Sequence, residues 1–447
     1  MNNNFSLKQI ANNFFIIQSR SVFLAFIGLL TSVILARALG TVGNGQFAVI
    51  MLLPSMLSIF LNLGISPANV FYISSETISS KIALRTSIFL SLLLSLIGIS
   101  FSLPILMFKS NTLFPSAPLY LLFFGMALFP FKLLNDFFIS IINGQQRFKE
   151  YAVFSILSPF MYLLALIFFV WMIDTGVVGA VISRIAVNLV SLSILSIYFG
   201  EYFRQPCSIK EIFHYSKKCF NYGGRAYLSN IMAFVNYRAD LFILNLFVSA
   251  ANLGIYAVSV TLAESLWLLS SGISTVLLPK LSELHSDEDR RKMLTPFIAR
   301  WVFLLTSVAA IISAIVMQYV INFFYGPEFM PGVQPFRILL IGIVLGAFSK
   351  ILANDIAARD LPQYNFYTSI AVVSLNITLN FIFIPKWGIL GAAMATSFAY
   401  GVNSILKICI YYTVSKTKWT ELFLFNDFDK RLLAFCSEKA RLFLCIY

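Results

Sequence analysis

Between Arg85 and Lys109 the chain runs 23 residues without a charged side chain, most of them Leu, Ile, Phe and Ser. A helix of that length rises about 35 Å, enough to cross the hydrocarbon core of a bilayer. Such a run does not suit a surface helix of a soluble protein, one face of which must meet water. Runs of this kind recur along the whole chain. They place membrane spans at residues 14–36, 45–73, 86–108, 118–142, 151–173, 176–199, 224–248, 252–279, 298–324, 333–356, 365–385 and 388–414. The second and eighth are long and carry polar residues. The fold class expected is therefore an all-α polytopic membrane protein of about 12 transmembrane helices.

Composition points the same way. The 447 residues are 59% hydrophobic and 11% charged, where soluble domains average about 45–50% and 25%. A water-soluble globule of this size needs more polar cover than that.

The net charge of +13 raises nucleic acid as a partner, but the basic residues sit in short segments between apolar runs. That is the pattern of membrane topology, so no nucleic-acid partner is expected. With the N-terminus inside, only Arg37, Lys109, Arg337 and Lys386 of the 32 Lys and Arg fall in outward segments. An even number of spans then puts both termini in the cytoplasm. The polar start lacks the basic stretch and cleavage site of a signal peptide, so the first apolar run is expected to stay as a helix. Every outward loop is short, and the longest, near Tyr325–Pro335, carries only Glu328 as a charge.

Three short segments return at a spacing of about half the chain. Gly45-Gln46-Phe47-Ala48-Val49 reappears as Gly254-Ile255-Tyr256-Ala257-Val258. Gly64-Ile65-Ser66 reappears as Gly272-Ile273-Ser274, and Gly176-Val177-Val178-Gly179-Ala180 as Gly388-Ile389-Leu390-Gly391-Ala392. Three matches in register argue for duplication. Because each half holds an even number of spans, the copies share one orientation and are related by an axis along the membrane normal. The expected division is an N-terminal six-helix lobe at 1–205, a C-terminal six-helix lobe at 206–415, and a cytoplasmic tail at 416–447. The basic 200–222 segment is read as a loop and the hinge between lobes. Arg431–Tyr447 alternates apolar and basic residues and reads as a surface-lying segment.

Enzyme chemistry finds little support. The cysteines Cys207, Cys219, Cys409, Cys436 and Cys445 show no metal spacing and fall in or near cytoplasmic segments, where thiols stay reduced. His214 and His285 stand far apart in polar segments. No phosphate-cradling glycine loop is present, so ATP hydrolysis, a metal and a cofactor are not expected.

Several segments carry a family resemblance. Arg37-Ala38-Leu39-Gly40 followed by Gly43-Asn44-Gly45-Gln46-Phe47-Ala48 resembles the first-loop pattern of polysaccharide flippases. So do Tyr237-Arg238-Ala239-Asp240-Leu241-Phe242-Ile243-Leu244 with Leu253-Gly254-Ile255-Tyr256-Ala257, and Leu277-Leu278-Pro279-Lys280-Leu281-Ser282. The stretch Asn380 to Ala393, with Pro385-Lys386-Trp387-Gly388, matches best. Over about residues 10–415 the chain is similar to Wzx-type O-antigen and polysaccharide flippases of the MOP superfamily, which also holds MATE exporters and lipid II flippases.

The resemblance implies two lobes around a central cationic cavity in the bacterial inner membrane. It implies alternating access that carries undecaprenyl-pyrophosphate-linked oligosaccharide from the cytoplasmic to the periplasmic leaflet, with ion coupling. Partners implied are the lipid bilayer, a polysaccharide polymerase and a chain-length regulator. A transporter, not an enzyme, is expected.

Physical chemistry names the residues such a cavity would use. A charge at a helix centre costs about 2.5–3.5 kcal/mol on insertion scales, so embedded charges face the bundle interior. They are Lys132, Asp136, Arg184, Arg238, Asp240 and Glu264, with Arg20, Arg225 and Lys350 nearer helix ends. The cations Arg20, Lys132, Arg184, Arg225, Arg238 and Lys350 are the substrate-binding set, and Asp136, Asp240 and Glu264 the ion-coupling set. Each has a plainer reading. Lys132 and Asp136, four apart, make either an intrahelical ion pair or a substrate contact. Arg184 meets either a phosphate or an interhelical partner. Arg238 and Asp240 point to different faces, with Glu264–Arg238 and Asp240–Arg184 both open as pairs. Arg20 and Arg225 either snorkel to the interface or recruit the pyrophosphate. Rival functions are a MATE-like cation exporter, expected to have an acidic cavity, and a membrane polymerase or ligase, expected to have a large outward loop. A lipid II flippase resembles a longer chain of fourteen helices.

Overall fold

In the computed structural model, residues 7–284, 287–417 and 419–424 are described. Among them the chain is helical throughout, without a strand. The order is α1 (Leu7–Leu61), α2 (Ile65–Ser74), α3 (Ser80–Leu113), α4 (Leu119–Gly144), α5 (Phe148–Leu166) and α6 (Gly176–Tyr198). There follow α7 (Gly200–Arg204), α8 (Ile209–Phe247), α9 (Ala250–Ser265), α10 (Trp267–Glu283), α11 (Glu288–Val320), α12 (Val333–Ala358), α13 (Pro362–Ser415) and α14 (Trp419–Phe423). Wider π-type turns extend α5 through Ile167–Met172 and α11 through Ile321–Tyr325, and a 3-10 turn covers Pro327–Gly332.

Eight helices among the described residues are long and apolar enough to cross a membrane. Two of these hold a break. Gly40 in α1 takes φ 64° and ψ −174°, and Gly388 in α13 takes φ 55° and ψ −129°. A side chain resists these conformations, so each glycine ends one span and starts the next. The bent α9–α10 pair adds a ninth candidate span. The second span, read from the sequence as continuous, is interrupted: Leu63 and Gly64 both have positive φ between α1 and α2. The eighth is likewise interrupted, at Leu266. Large apolar side chains face outward, including Phe101 at 70% and Phe108 at 81% exposure on α3. Only lipid makes that arrangement favourable. This is a multi-pass membrane protein.

The 200–222 segment is not the loop expected. Ser208 accepts from the Lys210 N–H while Glu211 accepts from the Ser208 N–H, a capping box that starts α8 at once. Its first turns are packed: Tyr215 and Cys219 are fully buried in an apolar core with Leu84, Phe129, Phe137, Phe138 and Phe199. Inside that core Asn69 donates to Ser87 (3.1 Å) and Ser140 (3.0 Å) and accepts from the Tyr215 hydroxyl (2.9 Å). The buried amide is thereby satisfied, which a hydrocarbon surrounding requires.

By contact density the chain divides into two units. One comprises residues 1–265, 317–336 and 377–395, and the other residues 266–316, 337–376 and 396 onward. The first holds the Asn69 core. The second is built on Leu277, Leu281, Val302, Phe348, Ile351 and Tyr411. It encloses Asp355, fully buried, which accepts from Thr295 (2.6 Å) and from Arg359, while Arg359 also reaches Glu288 at 2.7 Å. Every charge in that network has an opposite partner, so it is a structural knot.

Three cations outside the candidate set find partners within the bundle. Arg37, counted in an outward loop, lies within α1 and donates through Nε to the Phe324 carbonyl (2.9 Å) and through a second nitrogen to that of Phe323. It thus caps carbonyls freed where α11 ends. Arg337 donates to the Ala314 carbonyl at 3.0 Å. Lys407, inside the last span read from the sequence, is 4% exposed and bonds Asn365 and Thr368, each at 2.5 Å. Cys436, Cys445, His285 and the Arg431–Tyr447 segment lie outside the described residues.

Candidate functional site

A cavity of about 660 Å³ opens within the first unit, lined by α1, α4, α5, α6, α8 and α9. Arg20, Lys132, Asp136, Arg184 and Arg238 all line it. So do Thr31, Ser55, Asn135, Ser155, Ser158, Tyr162, Asn188, Ser191 and Thr261. A second hollow of about 290 Å³ shares Thr31, Met51, Ser55, Arg238 and Thr261 with it. Of the six cations expected in a substrate cavity, four therefore meet in one place.

Their partners differ. Lys132 and Asp136 form the i,i+4 pair at 3.3 Å, both side chains more than a third exposed. Arg238 contacts Glu264 through both terminal nitrogens, at 3.2 and 3.4 Å. Of the two pairings open in the sequence, Glu264–Arg238 is the one present. Asp240 instead is 3% exposed, accepts from the Tyr256 hydroxyl (2.7 Å) and from the Leu241 N–H (2.7 Å), and does not line the cavity. Arg20 and Arg184 have no carboxylate at ion-pair distance among the described residues. Each lies over a ring: Arg20 is 4.6 Å from the Tyr151 centroid, and Arg184 is 4.2 Å from that of Tyr162. Such a platform holds a guanidinium without neutralising it.

Two expected members are elsewhere. Lys350 lies in the second unit and donates to Ser271 at 2.7 Å, beside the Asn354–Ser274 bond at 2.6 Å. Arg225 stands in α8, but its side chain lies outside the described part of the structure.

A polar web supports the cavity wall. Asn135 donates to the side chain and the carbonyl of Asn188, each at 3.2 Å, and accepts from Ser191 at 3.0 Å. Asn188 in turn donates to the Arg184 carbonyl at 2.8 Å. This web ties α4 to α6 and fixes the turn that carries Arg184. A scan for apolar runs passes over Asn, Ser and Tyr, and that is why these residues went unnoticed. The spacing of Arg184, Asn188 and Ser191 along α6, four and then three residues apart, is the available signal.

The repeated glycines meet each other. A Cβ on Gly45 would stand 1.8 Å from the Ala250 carbonyl oxygen, and one on Gly254 would stand 2.1 Å from that of Thr41. Asn44 bonds the Gly254 carbonyl at 3.1 Å. Two copies of one motif therefore cross backbone to backbone, where no other residue fits. A further set of bonds ties α8 to the α3–α4 connection: Asn245 donates to the Leu113 carbonyl (2.7 Å) and accepts from the Ser116 N–H (3.4 Å).

Outside the spans, Cys207 shows no sign of a reactive thiol, since burial and then Glu211 push its ionisation upward.

This fold, with its glycine-broken spans around a cation-rich polar hollow, is shared with solved membrane proteins. The structure superimposes on lipid II flippase MurJ in an inward closed conformation with a TM-score of 0.74, at 16% identity, covering 91% of this chain and 89% of that one. It also superimposes on an inward-facing multidrug resistance MATE family transporter of the MOP superfamily with a TM-score of 0.72, at 13% identity, covering 88% and 94%. Those likenesses concern the fold. In sequence, residues 10–285 match the model of the polysaccharide biosynthesis protein family, and the chain belongs to that family. A relative in Haloferax volcanii described as probable flippase AglR is 26% identical over 262 residues, 58% of this chain. The matched stretch spans about half, 53%, of that relative's length.

Proposed function

We propose that this protein is a flippase for lipid-linked oligosaccharides, a transporter and not an enzyme. The carrying observation is the pair of arginines, Arg20 and Arg184, lining one membrane-embedded hollow without a carboxylate partner among the described residues. An isolated cation in a bilayer is expensive unless something anionic and hydrated visits it. A pyrophosphate bearing a glycan is such a visitor, and it cannot cross hydrocarbon alone. The two remaining cavity cations are each balanced, by Asp136 and by Glu264. A cation exporter needs the opposite polarity, so that reading loses ground although the MATE fold is shared.

The proposed cargo is an undecaprenyl-pyrophosphate-linked repeat unit of O-antigen or another polysaccharide. It would move from the cytoplasmic to the periplasmic leaflet of a bacterial inner membrane, with both termini cytoplasmic. A polysaccharide polymerase and chain-length regulator are the proposed downstream partners. Two six-helix lobes, 1–205 and 206–415, with a tail at 416–447, would alternate about the cavity. In this orientation the Gly45–Gly254 crossing and the Arg37 contacts belong to the outward ends, so they form the closed outer gate of an inward-accepting state. Ion coupling fits the carboxylates. Asp136 and Glu264 are paired with Lys132 and Arg238, and Asp240 is held by Tyr256.

The test is flipping in proteoliposomes with a fluorescent, short-chain polyprenyl diphosphate oligosaccharide. The expected result is protein-dependent loss of the label to a membrane-impermeant quencher, with no movement of the dephosphorylated analogue. Equal transport of both would sink the reading.

A further inference from the structure

The helix α5 carries both tyrosine platforms. Tyr151 and Tyr162 are 11 residues apart, which returns them to the same face of an α-helix after three turns, their Cα atoms about 16 Å apart. Ser155 and Ser158 fall between them on that face, and both line the cavity with Tyr162. Arg20 comes from α1 to the first platform and Arg184 from α6 to the second. The second platform is fixed: Tyr162 is 2% exposed and its hydroxyl donates to the Ala180 carbonyl at 3.4 Å. Between the stations, Pro159 has no N–H, so the Ser155 carbonyl lacks its helical donor in the cavity wall. The face thus offers a guanidinium, then hydroxyl and carbonyl acceptors, then a second guanidinium.

We propose that α5 is a two-station track for the anionic head of the cargo. A phosphate binds first at Arg20–Tyr151 and then at Arg184–Tyr162, while sugar hydroxyls bond the Ser155 and Ser158 groups between. The proposal rests on the flippase reading for the identity of the cargo. The tyrosines are positioning residues. Each presents a guanidinium to the cavity and leaves its positive charge unspent, as a carboxylate would not. Two stations set one cation-binding step apart from the other, so the head can be handed on without leaving a charge stranded.

The experiment titrates full-length protein in lipid nanodiscs with inorganic pyrophosphate at low ionic strength, by calorimetry. The wild type is expected to bind two equivalents, and Arg20→Gln and Arg184→Gln one each. Tyr151→Phe and Tyr162→Phe, which keep the ring, are expected to bind two. Tyr151→Leu and Tyr162→Leu are expected to weaken their own station about tenfold and spare the other. The spared station in each variant reports that the protein is folded. Loss of both equivalents in either arginine variant would overturn the two-station track and leave the flippase reading standing. Two equivalents retained in both variants would place the ions elsewhere and overturn it as well. No binding by the wild type would overturn the track and the anionic cargo together.

Discussion

Gly254→Val is expected to cut flipping to below about a tenth of the wild-type rate, and Gly45→Val to do the same. At each position the new Cβ would meet a carbonyl oxygen of the facing helix, 2.1 Å away for Gly254 and 1.8 Å for Gly45. Neither obstacle is a side chain that can rotate aside, so the two helices must separate. Overpacking of this kind costs about 1–3 kcal/mol, which shifts a two-state balance by roughly one to two decades. The bond from Asn44 to the Gly254 carbonyl would go with it. If the crossing is the outer gate, both variants hold the protein away from its inward-accepting state. Because both disrupt one contact, the double substitution should be little worse than either single one. Flipping rates in proteoliposomes, with inserted protein quantified, provide the readout. Wild-type rates in both variants would remove the crossing from the transport cycle.

Arg184→Gln carries the second large effect. The residue is half-buried, lies over Tyr162 and has no acid beside it among the described residues. A bond from a charged donor contributes about 1.5–3 kcal/mol, so losing it should lower apparent affinity for a lipid-linked diphosphate by roughly ten- to a hundredfold. Stability should change far less, because no buried carboxylate is left stranded by the change. Arg184→Lys should recover part of the loss, since charge returns without the planar fork. The opposite pattern, with an intact affinity and a large drop in melting temperature, would make Arg184 a structural residue.

How far the sequence could be read follows from what each signal measures. Apolar runs register burial in lipid, so the spans were visible, and even the two irregular ones stood out by their polar content. Gly40 and Gly388 were visible in motifs, and positive φ explains why each must be glycine. Spacing within one helix was also decisive, as the Lys132–Asp136 pair shows. Contacts between helices were not. The sequence offered Glu264 and Asp240 as equal partners for nearby arginines, and only the packing distinguishes the Glu264–Arg238 contact from the Asp240–Tyr256 bond. Lys350 shows the same limit, since its bond to Ser271 depends on how α12 meets α10.

Two features are legible in the residues themselves but not in hydropathy or charge. Lys210, Lys217 and Lys218 made the start of α8 look like a loop, yet Ser208 and Glu211 spell a capping box three residues apart. The four polar side chains on one face of α5 hid inside an apolar run, because hydropathy averages over all faces of a helix. A search for polar residues at helical spacing would have found them.

The central claim is that an anionic glycan-bearing head enters the hollow beside α5, and crosslinking from that wall tests it most directly. A photoreactive residue would replace Ser158, which lines the cavity, or Leu164, which is 51% exposed on the same helix outside it. Irradiation would be done in membranes making radiolabelled lipid-linked oligosaccharide. The account predicts a labelled adduct from position 158, reduced by added Arg184→Gln, and none from position 164. An adduct from 164 alone, or equal adducts from both with no effect of Arg184→Gln, would contradict it.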